Sequence, residues 1–263
     1  MTEKRRSQDL PFDLTPVYSA AIQALDLELF TRTYLPAALA PEIIEQNERP
    51  VEDQLSSLRF ATSDQEIAQR HPTIVGILVT GKDPSEYIPG AYVQFLRIEG
   101  TELTDSIKNQ REISGPLPEL LRNLDEILQA NISIATDLTS SPVETRRPDY
   151  PVAALQQLTR NAIMHRNYSG TNSPVRITWF SDRIEIQNPG GPFGLVSRDN
   201  FGKPGITDYR NAHLAEAMKN LGYVQRFGVG IAVARKELER NGNHPLEYQI
   251  EESHILAIIR KRP

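Results

Sequence analysis

The chain has 263 residues, of which 39% are hydrophobic and 24% charged, enough to bury the core of one large domain or two modest ones. Its formal net charge of −5 weighs against a nucleic-acid coat, and the absence of cysteine excludes disulfides, thiolate metal sites and a cysteine nucleophile. No apolar run approaches the ~18 residues of a membrane span, and the charged start Met1-Thr-Glu-Lys-Arg-Arg6 lacks a signal-peptide core, so a cytoplasmic protein is expected.

Residues 1–15 read as an N-terminal arm or linker, in which Lys4-Arg5-Arg6 is a solvated tail that could touch phosphate. Residues 16–70 read as a helical region. Ala20 to Tyr34 has helical periodicity, Pro36 and Pro41 are expected to break it, and Val51 to Phe60 is a second short helix.

Residues 71–263 read as an α/β region. Pro72 to Thr80 is a nearly continuous apolar run rich in β-branched residues, which predicts a buried strand. Gly81-Lys-Asp-Pro84 is a turn, Ala91 to Ile98 alternates as a second strand, and Leu117 to about Ala135 is an amphipathic helix opened by Pro116 and Pro118. A further strand is expected near Val143 to Arg146.

Gly76-Ile-Leu-Val-Thr-Gly81-Lys82-Asp83 approaches the P-loop pattern and fails it. Its middle residues are strand formers, not a tight loop, and Asp83 stands where a hydroxyl for magnesium is needed. A helicase motor is therefore unsupported.

Pro151 opens the most informative helix, which runs to about Tyr168. Leu155, Leu158 and Ala162 form its apolar face. Gln157, Asn161 and His165, at i, i+4 and i+8, form a polar stripe beside it. Val175 to Phe180 and Arg183 to Gln187 are two strands joined by Ser181-Asp182, a hairpin. The turn Asn188-Pro-Gly-Gly191 follows, then a polar loop to about Asn211. Ala212 to Leu221 is helical, Arg226-Phe-Gly-Val-Gly-Ile231 enters a helix ending near Arg240, and His254 to Arg260 is the last strand.

Three of these pieces are weak alone and describe a workable site together. Gly228 and Gly230 allow backbone to approach phosphate at a helix N-terminus. Asn161 can ligate a hard cation through its amide oxygen. The Asn188 amide can both donate to and accept from a base edge.

The segments Asn161-Ala-Ile-Met-His165-Arg166-Asn-Tyr168, Ile184-Glu-Ile-Gln-Asn188-Pro-Gly-Gly191, Tyr209-Arg210-Asn211 and Phe227-Gly-Val-Gly230 resemble the ATP-binding module of RecG-like transcriptional regulators. That module belongs to the GHKL superfamily, with gyrase B-type, MutL-type, heat-shock chaperone and histidine-kinase ATPase domains. Pro72-Thr-Ile-Val-Gly-Ile-Leu-Val-Thr-Gly-Lys-Asp-Pro84 and Arg111-Glu-Ile-Ser-Gly-Pro116 resemble the segment upstream of it. The resemblance runs from about residue 10 to 260.

It implies an α/β (α+β) fold: a Bergerat-type GHKL sandwich of a mixed sheet with helices on one face, mainly 136–263, after a smaller helical region. ATP would lie between helix and sheet, with Mg2+ on Asn161. Asn188 and Gly190 would serve the base slot, and Gly228 and Gly230 the phosphates. A lid from about 192 to 226 would carry Lys203 and Arg210. His165 would contact phosphate or a lid carboxylate, or make a structural hydrogen bond.

Two residues depart from the wider superfamily. Gln157 stands where related ATPases place the Glu that polarises the attacking water, and an amide cannot act as general base. Asn188 stands where an Asp usually meets adenine. The implied function is ATP-binding regulation with weak or no hydrolysis, with Gln157 at most orienting water. The alternatives are a slow ATPase and a DNA-binding transcriptional regulator without catalysis. The Schlafen AlbA-type domain that usually precedes this module has no match here, so DNA would be met through a missing or separate domain. A homo-oligomer is the other partner expected.

Overall fold

The computed structural model of the protein describes residues 10–63, 69–137, 145–203, 205–224 and 228–262. Lys4-Arg5-Arg6, Val143 and the pair Arg226-Phe227 lie outside them. Phe12–Leu14 is a 3₁₀ turn, and Ile22–Ala24 is another. The described part of the expected 1–15 arm or linker thus folds onto the body of the protein, and Asp13 is fully buried.

Helix α1 (Leu27–Leu29) is opened by Asp26, whose carboxylate accepts from the Leu29 N–H at 2.9 Å. The backbone continues through a π-helical turn, Phe30–Tyr34, into α2 (Leu35–Ala38). Pro36 does not break this helix as expected. The Leu35 N–H reaches back to the Phe30 carbonyl, and the wider turn displaces the carbonyl that the Pro36 ring would strike. After α3 (Pro41–Glu45) and α4 (Val51–Ser57), β1 (Ala61–Ser63) pairs antiparallel with β2 (Arg70–Pro72).

The expected strand over Pro72 to Thr80 is instead helix α5 (Ile74–Thr80). Thr73 caps it, its hydroxyl accepting from the Gly76 N–H at 3.1 Å. All seven residues are buried, so no polar face marks the helical period, and packing overrides the β-branched composition. A Cβ on Gly76 would lie 2.1 Å from the Phe60 carbonyl oxygen, so this glycine serves close packing, not phosphate. Asp83 then caps the single turn α6 (Pro84–Tyr87).

The remaining chain builds the sheet and its cover. In order come β3 (Val93–Glu99), β4 (Ser106–Ile113), α7 (Leu117–Asn131), and the ribbon β5 (Ile134–Asp137) and β6 (Thr145–Pro148). Helix α8 (Val152–His165), β7 (Val175–Trp179) and β8 (Arg183–Pro189) follow. Helices α9 (Ala212–Asn220) and α10 (Gly230–Asn241) precede β9 (Glu247–Ile250) and β10 (His254–Arg260).

Six strands form one sheet in the order β4-β3-β7-β8-β10-β9. Only the β3–β7 pairing is parallel, which makes the sheet mixed. Phe95, Ile177, Ile186 and Ala257 stand in register across four strands, and all are buried. Their chain neighbours Gln94, Arg176 and Gln187 point to the other, polar face, as the two-residue period requires. Helix α8 packs on β8, flanked by α7 and α10. The result is a mixed sheet with its helical cover on one face, as a GHKL-type sandwich has. Among the described residues no helix is long and apolar enough to cross a membrane.

Candidate functional site

The polar stripe of α8 faces a cavity of about 330 Å³, within the ~300–1,000 Å³ usual for small-molecule sites. Leu155, Leu158 and Ala162 are buried, which turns Gln157, Asn161 and His165 to the cavity. Opposite them the sheet contributes Ile186 and Asn188 from β8 and Ile255 and Ala257 from β10. The long segment before α9 closes one side through Phe193, Lys203, Thr207, Asp208, Tyr209 and Arg210.

Asn188 is 6% exposed, and its Oδ1 has no hydrogen-bond partner. An unmatched acceptor this deep costs about 1–3 kcal/mol, so the position fits a ligand that donates to it. Ile186 of β8 and Ile255 and Ala257 of β10 are neighbours of Asn188 in the sheet, and Phe201 and Tyr248 add apolar surface to the same cavity. Phe201 and Tyr248 meet edge to face at 4.9 Å between centroids. A flat heterocycle suits such walls.

The start of α10 also lines the cavity, through Gly228, Val229, Gly230 and Ile231. Its N-cap residue, Val229, has no side chain that can cap, and a helix N-terminus of this kind suits an anion. Gly228 has φ 63°, and a Cβ there would lie 2.1 Å from Thr207 Oγ1. A Cβ on Gly230 would lie 3.1 Å from Gln157 Oε1, so the Gln157 amide stands beside the helix entrance. Lys203 and Arg210 line the cavity with one carboxylate, Asp208, while Arg160 is met by Asp125, so the walls carry a small positive excess.

The N-terminal end of α9 is tied to α8. Asn211 donates from Nδ2 to the carbonyls of Met164 at 2.9 Å and Arg166 at 2.8 Å. Arg166 is 1% exposed and donates to the carbonyls of Ser173 and Thr171, which fixes the loop between α8 and β7. Arg210 donates to the Gly191 carbonyl at 3.1 Å and lies 4.8 Å over the Phe193 ring.

His165 stacks on Tyr209 with centroids 5.6 Å apart and planes 14° from parallel. Burial, then the nearby charge of Arg210, pulls its pKa from 6.5 down to about 4, while Asp208 opposes. The ring is therefore neutral at pH 7. Between these pKa values the unfolded chain binds a proton that the folded chain refuses, so stability is complete above about pH 6.5 and is lost as pH falls toward 4. Melts at about pH 7 and about pH 5 should differ by roughly 2 kcal/mol more in the wild type than in His165→Gln. Equal pH slopes would remove His165 from this account.

Of the residues singled out in the sequence, Gln157, Asn161, His165, Asn188, Lys203, Arg210, Gly228 and Gly230 line the one cavity. Gly190 is not among its lining residues. It has φ 105°, a Cβ there would lie 2.8 Å from Asn167 Cβ, and its N–H donates to the Ser253 carbonyl, so its part is to turn the chain after β8. Gly191 lines the cavity in its place. The sequence reading passed over Arg160, although i+3 from Gln157 puts it on the same stripe. Arg160 is braced by Asp125 of α7 at 2.8 Å and lies over the Tyr223 ring at 5.5 Å. Phe201, Asp208 and Tyr248 were also missed, because no local pattern connects them.

Residues 172–259 match the family model described as "Putative ATP-dependent DNA helicase recG C-terminal". This stretch is thus similar to that ATPase-like C-terminal module. The match begins downstream of α8, so Gln157, Asn161 and His165 lie outside it. None of the curated proteins matches the chain. The crystal structure of the DIP2311 protein from Corynebacterium diphtheriae superposes with a TM-score of 0.70 at 18% identity. It covers 98% of this chain, which spans about half (49%) of that one, and the likeness is one of fold. The Acinetobacter baumannii histidine kinase AdeS reaches a TM-score of 0.29 at 16% identity, covering 54% of this chain and 73% of the kinase, and carries no weight here.

Proposed function

We propose that this protein binds ATP with magnesium and uses the nucleotide as a regulatory ligand, with little or no hydrolysis. One observation carries the reading. One cavity is lined both by an unmatched buried amide set among apolar side chains and by the start of a helix whose N-cap residue, Val229, makes no side-chain cap. That pairing suits a nucleotide, with its base toward Asn188 and its phosphates toward Gly228 and Gly230.

The roles follow from chemistry. The Asn188 Oδ1 accepts from an exocyclic amino group of the base. The N–H groups at the start of α10, with Lys203, hold the phosphates, and Arg210 braces the turn after Asn188. Among the described residues no group of three His, Cys, Asp or Glu could bind a metal by itself. Magnesium would then rest on the Asn161 amide oxygen and on phosphate oxygens, a normal arrangement for this ion. When bound, it would screen phosphate charge.

Gln157 decides between sensing and consuming. It stands beside Gly230, where a base would have to activate water, and it cannot accept a proton at neutral pH. Neutral His165, with its pKa near 4, is a poor substitute. A regulatory output would follow from the segment before α9, which contributes one wall of the cavity. Titration with a fluorescent ATP analogue and magnesium should show saturable binding. Absence of binding at millimolar analogue would overturn the reading.

A further inference from the structure

The start of the chain reaches the nucleotide wall through one buried carboxylate. Asp13 is 0% exposed and lies 200 residues from its partner in sequence. Its Oδ2 accepts from the backbone N–H of His213 at 2.6 Å and of Leu214 at 3.2 Å, and its Oδ1 takes the His213 Nδ1–H at 3.1 Å. These are first-turn donors of α9. The residue at that helix's own cap position, Asn211, makes no capping bond: its Nδ2 is held by the end of α8, and its Oδ1 reaches no donor. An N-cap has therefore been supplied from a distant segment.

Arg59 completes the arrangement. Its Nη1 lies 2.9 Å from His213 Nε2, and a guanidinium can only donate. His213 must then accept at Nε2 and donate from Nδ1 to Asp13. The tautomer is set from both sides, and the 3₁₀ turn at Phe12–Leu14 is held to α9 by side chain and backbone together.

What stands immediately before this cap is the cavity wall. Asp208, Tyr209 and Arg210 lead into Asn211 and α9 without a break. Tyr209 stacks on His165, Arg210 holds Gly191, and Asn211 holds α8. Movement of the α9 entrance would move all three contacts.

We infer that Asp13 is a positioning residue for the nucleotide site, and that the N-terminal segment and the nucleotide are energetically coupled through the start of α9. This rests on the nucleotide-binding reading above. Coupling between sites is reciprocal: if Asp13 strengthens nucleotide binding, bound nucleotide must strengthen the Asp13 contacts.

The test has two arms, both on the full chain with a non-hydrolysable ATP analogue and magnesium. In the first, Kd is measured for the wild type, Asp13→Ala, Asp13→Asn and Leu55→Ala. Leu55→Ala opens a cavity in the N-terminal helices at a fully buried side chain that cannot itself hydrogen-bond. Asp13→Ala should raise Kd about tenfold, Asp13→Asn less because it keeps one acceptor, and Leu55→Ala should leave Kd unchanged. In the second arm, saturating analogue should slow hydrogen exchange at the His213 and Leu214 amides of the wild type. An Asp13→Ala Kd equal to wild type, or a Leu55→Ala Kd raised as much, overturns the coupling. If the Asp13 variants fail to fold, the wild-type exchange decides alone, and unchanged protection overturns it. Failure of the wild type to bind at all would sink the nucleotide reading itself, a different result.

Discussion

Phosphate release from ATP is expected to rise about 100-fold in Gln157→Glu, the lower end of what a positioned general base contributes. The substitution changes one atom group and little volume. The new carboxylate would stand where the amide does, beside Gly230 at the start of α10, and a helix N-terminus tolerates negative charge. Arg160, one helical turn on, would be a further favourable neighbour. Steady-state phosphate release with magnesium, compared with the wild type, reads the effect. A flat response would mean that Gln157 is not beside the attacked phosphate, and the explanation of weak hydrolysis would fall.

Asn161→Ala is expected to weaken magnesium-dependent analogue binding by about 10- to 100-fold, the range typical for loss of a group that serves a metal site. The side chain sits mid-helix on α8, between Gln157 and His165, and lines the cavity. Alanine is the best helix former, so α8 itself should persist. The decisive comparison is binding with and without magnesium. Wild type should show a large magnesium effect and Asn161→Ala almost none. A variant that binds as tightly as wild type in magnesium would show that another group holds the ion.

Much of this site was legible because helices write their faces into the sequence at short range. Gln157, Asn161 and His165 share a face by spacing alone, and the apolar residues beside them say which way that face turns. The Gly228-Val-Gly230 turn is legible in the same way, and Gly228 does take a positive φ. The hairpin of β7 and β8 followed from alternation and a tight turn. Other elements were hidden for physical reasons. Helix α5 is buried all round, so it has no polar face to betray a period of 3.6. Strand β4 runs along the sheet edge with Lys108, Arg111 and Glu112 exposed, and so has no apolar alternation. Strand β9, the opposite edge, is half polar as well.

The sequence by itself determined a helix with a polar stripe, two glycine turns and the chemistry of an amide ligand in place of an acid. It did so because each of these depends on residues within a few positions of one another. Only the tertiary structure decided that Asn188 is buried with an unmatched oxygen, that Gly191 and not Gly190 lines the cavity, and that Asp13 caps α9. Those facts depend on strand register and on segments that meet across the fold, where no local rule of spacing reaches.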